Sequence, residues 1–187
     1  VTRIIAGVHG GRRLSAPTGS QTRPTADRVR EALFSALSSM TDMSGARFAD
    51  FYAGSGAVGL EALSRGAAFA LLVESDARAA RTVRDNIRVL RADAAARLLT
   101  GRVEQVLGAP PGGEPFDVVF ADPPYALAED RLTAVQHALV AGGWLADDAV
   151  VVIERATRAS PLTWVDGLTA DRSRRYGETT LWYGRRS

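Results

Sequence analysis

The tetrapeptide Asp122-Pro123-Pro124-Tyr125 follows directly on Phe116-Asp117-Val118-Val119-Phe120-Ala121, whose β-branched and aromatic content marks a buried strand. Asp and Pro are ordinary residues where a strand turns into a helix. Two consecutive prolines before an aromatic residue are more than a turn needs, and make a stiff, exposed platform. That platform suits a planar exocyclic amine. The Asp122 carboxylate and the Pro123 carbonyl could each accept one N–H of an –NH2 group while Tyr125 stacks on the attached ring. Holding both hydrogens aims the nitrogen lone pair at an electrophile, so the gain is one of orientation and charge placement. With a good leaving group no strong base is required, because the nitrogen becomes acidic as it is alkylated. Asp122, Pro123, Pro124 and Tyr125 are the candidate catalytic set.

A second stretch, Asp50-Phe51-Tyr52-Ala53-Gly54-Ser55-Gly56-Ala57-Val58-Gly59, could supply that electrophile. It follows a short apolar run and opens the amphipathic Leu60-Glu61-Ala62-Leu63, which reads as strand, glycine turn and helix. Gly54, Gly56 and Gly59 spell G-x-G-x-x-G, which lets a nucleotide approach the backbone closely. Twenty residues after Gly54, the run Phe69-Ala70-Leu71-Leu72-Val73 ends in Glu74, where a nucleotide-binding βαβ unit places an acid for ribose hydroxyls. Asp50 chooses between nucleotides. A carboxylate at the end of this strand repels the pyrophosphate of a dinucleotide, and suits the amino group of S-adenosylmethionine, directly or through water. The charge pattern therefore favours the methyl donor over NAD.

The elements that must position these residues follow from pattern. Thr2 to Ala6 reads as a strand, His9-Gly10-Gly11 as a turn, and Arg12-Arg13-Leu14 as the returning strand. After a loop from Ala16 to Gln21, Thr25 is the expected N-cap of a helix with Asp27 in its first turn and Val29, Leu33, Phe34, Leu37 and Met40 on one face. Strand Arg47–Phe51, helix Ala57–Ser64 and strand Phe69–Glu74 follow. Asp76 caps a long helix with Ala79, Ala80, Val83, Ile87 and Leu90 in phase. Between Arg91 and Leu107 two readings stand: Ala95–Thr100 is a strand, or the helix runs on and Arg102–Leu107 is the strand. Beyond the strand Phe116–Ala121 come a helix over Glu129–Val140 and a buried strand over Ala149–Ile153. Arg172–Tyr176 and Thr179–Tyr183 flank Gly177-Glu178 as a hairpin. The expected fold is α/β and Rossmann-like: a mostly parallel open sheet closed by a C-terminal antiparallel hairpin, with a small N-terminal hairpin and helix appendage. Residues 1–21 are expected to be a basic arm and residues 22–187 the main domain.

Composition narrows the partner. No run approaches the roughly 18 apolar residues of a membrane span, and Val1 to Gly7 has no signal-peptide pattern. Both features fit a soluble, cytoplasmic protein without a membrane partner. Cysteine is absent, which excludes disulfides, thiolate metal sites and any cysteine nucleophile, including the usual route to C5-methylpyrimidines. The two histidines, His9 and His137, lie far apart, and no metal site is expected. The net charge of +2 is unevenly spread: residues 1–30 carry +5, residues 31–171 carry −7 and residues 172–187 carry +4, with arginine as every basic residue. Genome composition accounts for arginine in place of lysine, but not for its excess at both ends. Two basic ends on an acidic middle point to a polyanionic partner, nucleic acid first.

The D-P-P-Y tetrapeptide with the D-x-x-x-G-x-G turn resembles class I S-adenosylmethionine-dependent methyltransferases that modify exocyclic amines. More closely, Arg3-Ile4-Ile5-Ala6-Gly7 with Gly11-Arg12-Arg13-Leu14, and Thr22-Arg23-Pro24-Thr25 running to Arg28-Val29-Arg30-Glu31, resemble the RsmD family. So do Tyr52–Gly56, Gly59-Leu60-Glu61-Ala62-Leu63-Ser64-Arg65-Gly66-Ala67, and Tyr176-Gly177-Glu178-Thr179. The likeness covers nearly the whole chain in order. It implies methyl transfer from S-adenosyl-L-methionine to N2 of one guanine in 16S ribosomal RNA, free or in the small-subunit particle, by a monomer. It implies that Asp50, Ala53, Gly54 and Gly56 hold the methionine part of the donor and Glu74 its ribose; Tyr52, Ser55 and Ser75 are also expected to bind the cofactor. Asp122 to Tyr125 would take the target base. The Thr22–Arg28 segment, including Thr25 and Arg28, would cover the cofactor and face the RNA. Arg3, Arg12, Arg13, Arg23, Arg28 and Arg30 would grip phosphate. One departure concerns adenine. Many such enzymes present an acid after the third strand, yet here that position reads Gly101-Arg102-Val103, and Asp93 fits only if the strand begins near residue 90. Arg102 and Val103 are then expected beside an adenine held by backbone. Three alternatives are weaker. A DNA adenine-N6 or cytosine-N4 methyltransferase shares D-P-P-Y, but the chain has no room for a sequence-reading domain. A non-catalytic RNA-binding assembly factor would not need Asp122 and the glycine turn, and a dehydrogenase is opposed by Asp50.

Overall fold

A computed structural model describes residues 2–17 and 24–187, with only the backbone of residues 24–26. A seven-stranded sheet organises the chain, in the order β5-β4-β3-β6-β7-β9-β8. Its parallel part comprises β3 (Arg47–Phe51), β4 (Phe69–Glu74), β5 (Ala96–Thr100), β6 (Phe116–Ala121) and β7 (Leu145–Ala156). β9 (Thr179–Arg186) runs antiparallel to β7, and β8 (Leu168–Tyr176) antiparallel to β9. Strand order reverses between β3 and β6, the switch point where an open α/β sheet binds ligands outside its strand ends.

Both faces of the sheet are covered, which is why its strands read as nearly unbroken apolar runs. On one face Phe48, Leu72, Phe120 and Val152 meet Leu33, Phe34 and Leu37 of α1 (Pro24–Met40), Leu60 of α2 (Ala57–Ser64) and Val83 of α3 (Ala77–Val89). On the other, Phe51, Val73, Val119 and Val151 meet Val103 of α4 (Val103–Val106), Leu132, Val135 and Leu139 of α5 (Glu129–Ala141), and Trp144. Asp76 caps α3 as expected, its Oδ2 accepting from the Ala79 N–H at 2.9 Å. The strand reading of residues 95–100 stands, since Arg102–Leu107 folds as the short α4 and its flanks. Asp93 precedes β5 and so lies at the opposite sheet edge from the strand ends.

The N-terminal hairpin, β1 (Thr2–Arg3) and β2 (Arg13–Leu14), forms as expected but is no loose arm. Ile4 is fully buried and Leu14 nearly so, both within the core cluster of α1 and α2. Buried Glu61 of α2 accepts from the Ile5 N–H at 2.8 Å and the Ala6 N–H at 3.1 Å. Gly7 touches α2 so closely that a Cβ there would sit 1.9 Å from the Ser64 carbonyl oxygen. The expected division at residue 21 lies outside the described residues. Thr25 is also reassigned: α1 begins at Pro24, the first-turn position that proline favours, so Thr25 stands inside the helix. The structure of Thr22 and Arg23 lies outside the described residues.

Candidate active site

The glycine turn is built on α2, whose N-cap is Gly56 at φ 83°, a left-handed conformation that glycine adopts without penalty. A side chain there would also press on Leu72 Cδ2 at 3.0 Å. Two acids hold the turn in place. Asp50, 1% exposed, accepts the Gly59 N–H at 2.9 Å, and Glu74 accepts the Gly54 N–H at 2.8 Å and the Asp76 N–H at 2.8 Å. One free N–H of the α2 N-terminus is thereby taken by the protein's own carboxylate, where a dinucleotide fold would seat pyrophosphate. Asn86 supports the turn from α3 through a 2.9 Å bond to the Ser55 carbonyl, and the Ala53 N–H bonds Val73 O at 2.9 Å. Gly54 has no atom within 4 Å of where its Cβ would be, so the loop is open on its outer side.

Outside the strand ends lies a cavity of about 410 Å³. Its wall contains Tyr52, Glu74, Ser75, Arg102 and Val103, five of the residues expected to hold the donor. Asp122 and Pro124 line it from the opposite side. Asp50, Ala53, Ser55 and the turn glycines are not in this wall; they form the scaffold beneath it. Sequence reasoning missed Glu104, Leu127 and Arg131, which also line it. Glu104 stands in α4 just past Val103 and accepts the Tyr52 hydroxyl at 3.2 Å. An acid after the third strand is therefore present, two positions beyond Arg102. The signal was obscured because a four-residue helix has no readable periodicity. Tyr52 itself adopts φ 60°, which directs the chain from β3 into the glycine turn. Burial and the neighbouring Glu104 carboxylate raise its phenol well above the usual range.

Sequence reasoning also missed Glu154. Ala121 of β6 pairs in register with Ile153 of β7, which sets Asp122 beside Glu154 at the sheet edge. The two carboxyl groups hydrogen-bond, and burial lifts both from their ordinary values, Glu154 to about 9. The hydrogen bond between them raises Glu154 and lowers Asp122, so the shared proton belongs to Glu154. Neutral Glu154 then donates to an ionised Asp122. Asp50 is raised well above its ordinary value, chiefly by burial, against the lowering effect of the Gly59 N–H and with the charges of Asp122 and Glu74 adding to the rise. Asp50, Glu74, Asp122 and Glu154 thus bring four carboxyl groups to the ends of four adjacent strands. A positively charged ligand would return Asp50 to its ionised form; a pyrophosphate would meet repulsion.

The Asp122 N–H bonds Phe51 O at 3.3 Å, and the Leu127 N–H bonds Pro124 O at 2.9 Å, so the tetrapeptide is a fixed turn tied to β3. Tyr125 is 78% exposed beyond it. Of the expected phosphate-gripping arginines, Arg3, Arg13 and Arg28 are exposed. Arg12 is exposed but bonds the Val89 carbonyl at 2.7 Å. Arg30 is a correction: it is 6% exposed, faces Glu61 at 3.4 Å and Asp27 at 3.3 Å, and donates to the Arg3 carbonyl. It joins the arm to α2 and has no face for RNA. Among the described residues no cluster of His, Cys, Asp and Glu is arranged to hold a metal ion, and no helix is long and apolar enough to cross a membrane.

A family model described as conserved hypothetical protein 95, the model of the RsmD family, matches residues 2–185. The chain belongs to the RsmD family. Ribosomal RNA small subunit methyltransferase D of Escherichia coli K12 is 40% identical over 154 residues, covering 81% of this chain and 73% of the relative. The protein of the same name from Haemophilus influenzae is 36% identical over 155 residues, covering 81% and 77%. The solved structure of the methyltransferase yhhF from Escherichia coli superimposes with a TM-score of 0.86 at 34% identity, over 99% of this chain and 97% of that one. The RsmD-like segments now have physical tasks. Gly59 to Ala67 spans α2 and its exit, where Glu61 and Ser64 anchor the N-terminal arm. Tyr176 to Thr179 makes the β8–β9 turn, next to the end of β7.

Proposed function

We propose that this protein is an S-adenosyl-L-methionine-dependent methyltransferase of ribosomal RNA, and that its product is guanine methylated at the exocyclic N2 in 16S RNA. The observation that carries this reading is the partition made by Asp122–Tyr125. One side of that turn lines a nucleoside-sized cavity with Glu74 and Glu104 on its wall; the other presents an exposed tyrosine. The named relatives, ribosomal RNA small subunit methyltransferases of two bacteria, supply the substrate class. The substrate is taken to be the small-subunit RNA or its particle, and the enzyme to work as a monomer in the cytoplasm.

The residues divide the work. Glu74 is placed to meet ribose hydroxyls while its backbone bonds fix the glycine turn, and Glu104 to accept the adenine amine. Asp50 stabilises the cationic methionine end from beneath the turn. S-adenosyl-L-methionine, when bound, supplies a methyl group on a sulfonium that departs as a neutral thioether. Asp122, ionised because Glu154 keeps the proton, accepts an N–H of the guanine amine and orients its lone pair. The amine nitrogen becomes acidic once alkylated, and the Asp122 carboxylate would accept the proton that it sheds. Tyr125 stacks on the base, which must leave its helix to reach the turn.

Calorimetry tests the donor. S-adenosyl-L-methionine or its demethylated product should bind, and Glu74→Ala should weaken binding by about 1–3 kcal/mol, the scale of a charged hydrogen bond removed. A melting curve of the same variant separates a weakened hold on the ligand from a loosened glycine turn. Tight NAD binding with no response to either sulfur compound would sink the assignment.

A further inference from the structure

The turn that closes one cavity opens a second. On its Tyr125 side is a cavity of about 550 Å³, lined by Tyr125, Thr157, Arg158, Arg175, Gly177 and Glu178 among others. It lies between the Asp122–Tyr125 turn, the segment after β7 and the β8–β9 turn. Its floor is rigid. The Thr157 N–H bonds Glu178 O at 2.8 Å, and the Thr157 hydroxyl reaches Gly177 O at 3.0 Å and the Thr180 hydroxyl at 2.9 Å.

Its arginines differ from most of their neighbours in pairing, although exposed Arg174 of the same hairpin is likewise in none of the described ion pairs. Arg172 and Arg185 share the one carboxylate of Asp171 at 2.6 and 3.2 Å, Arg186 lies 3.9 Å from Asp147, and Arg155 pairs with Glu129. None of the described ion pairs includes Arg158 or Arg175, and both are exposed. The Arg175 Nε bonds Gly177 O at 3.2 Å, which holds its guanidinium near the turn. The Arg158 guanidinium stands 5.9 Å from the centre of the Tyr125 ring. Two cations with unspent donors beside an aromatic face call for a ligand with both phosphate and a planar ring. A free phosphate would leave most of the volume and Tyr125 unused. The Glu178 carboxylate disfavours phosphate at its own wall and suits a base N–H.

We infer that this second cavity is the binding site of an RNA nucleotide adjoining the methylated guanine, its phosphate held by Arg158 and Arg175. The inference rests on the reading of the chain as a ribosomal RNA methyltransferase. It gives the enzyme a hold on RNA outside the target base, on the side of Tyr125 away from the methyl donor. A single-stranded segment drawn over the turn would then place its target base at Asp122 and its neighbour in the arginine cavity.

The test uses the full chain, 16S RNA, free and in small-subunit particles, from cells lacking this enzyme, and labelled S-adenosyl-L-methionine. Arg158→Ala/Arg175→Ala should raise the KM for RNA about tenfold or more while kcat changes less than about threefold. The slope of log affinity against log salt should fall by about 0.7 for each single-strand phosphate that is no longer neutralised. Donor affinity by calorimetry and the melting temperature should match the parent. Arg158→Lys/Arg175→Lys should recover the salt slope and part of the affinity, which a merely structural role would not require. An Ala variant with unchanged KM and salt slope overturns the nucleotide site while leaving the methyltransferase reading intact. A parent enzyme that transfers no methyl to this RNA overturns both.

Discussion

Asp122 and Glu154 share a proton because parallel register makes them neighbours at a crowded sheet edge, and this coupling has two measurable consequences. With its pKa raised from 4.5 to about 9, Glu154 favours the folded state most fully below its ordinary value. Above pH 4.5 the unfolded chain releases that proton while the folded one retains it, so stability from this group declines as pH rises toward about 9. Glu154→Gln keeps the donor and removes the titration. Melting temperatures between pH 6 and 9 should therefore fall less in the variant than in the parent; parallel curves would mean that the pair is not coupled. The second consequence concerns chemistry. Asp122→Ala should leave donor affinity nearly intact and lower methyl transfer by roughly 10²–10³, the scale of losing one positioned electrostatic group. Normal turnover in that variant would reduce Asp122 to a turn residue.

At the scale of elements, the N-terminal hairpin is where charge pattern and packing disagree. Its arginines suggested a detachable arm, yet Ile4 is fully buried, and Glu61 binds two of its N–H groups as well as Arg30 and Arg65, the latter at 2.8 Å. Ile4→Ala should cost about 2–5 kcal/mol as a buried large-to-small change. Glu61→Ala should cost about 3–5 kcal/mol, since it strands a buried arginine. Denaturant titration measures both, and deletion of residues 1–20 should behave as a severe core lesion. A deletion variant with parental stability would restore the arm as a separate unit. The core strands were legible because both sheet faces are covered: Arg47–Phe51, Phe69–Glu74 and Phe116–Ala121 have the expected ends. β7 was legible only in its apolar middle. Near its start Asp147 and Asp148 are exposed, Asp148 has φ 59°, and the pairing with β6 shifts register there, so this part resembled a loop. Its polar end hid Glu154 for a related reason: nothing in one strand's sequence states which acid will stand beside it. The cavity wall was half legible, Glu74 from spacing, whereas Glu104, Leu127 and Arg131 arrive from elements whose placement only the tertiary fold fixes.

On the scale of the whole molecule, charge is sorted by face more than by position in the chain. Asp50, Glu74, Asp122 and Glu154 gather at the strand ends, where the proposed cationic donor and neutral amine would meet. The arginines divide into those spent internally, such as Arg30 and Arg65, and those left exposed, such as Arg13, Arg28, Arg158 and Arg175. Arg13→Ala/Arg28→Ala should weaken RNA binding at low salt and flatten its salt dependence without altering donor affinity, as expected of groups that hold phosphate. Filter binding across a salt series would show it; an unchanged slope would assign both residues to solvent. The central claim is that the acidic edge and the Asp122–Tyr125 turn methylate one amine of ribosomal RNA. Its most direct test is to incubate the protein with labelled S-adenosyl-L-methionine and 16S RNA, free and in small-subunit particles, from cells lacking the enzyme, and to map the product by mass. The account predicts a single methyl group on N2 of one guanine, absent with Asp122→Ala. Methyl on adenine or cytosine, on a carbon, or on no RNA at all would contradict it.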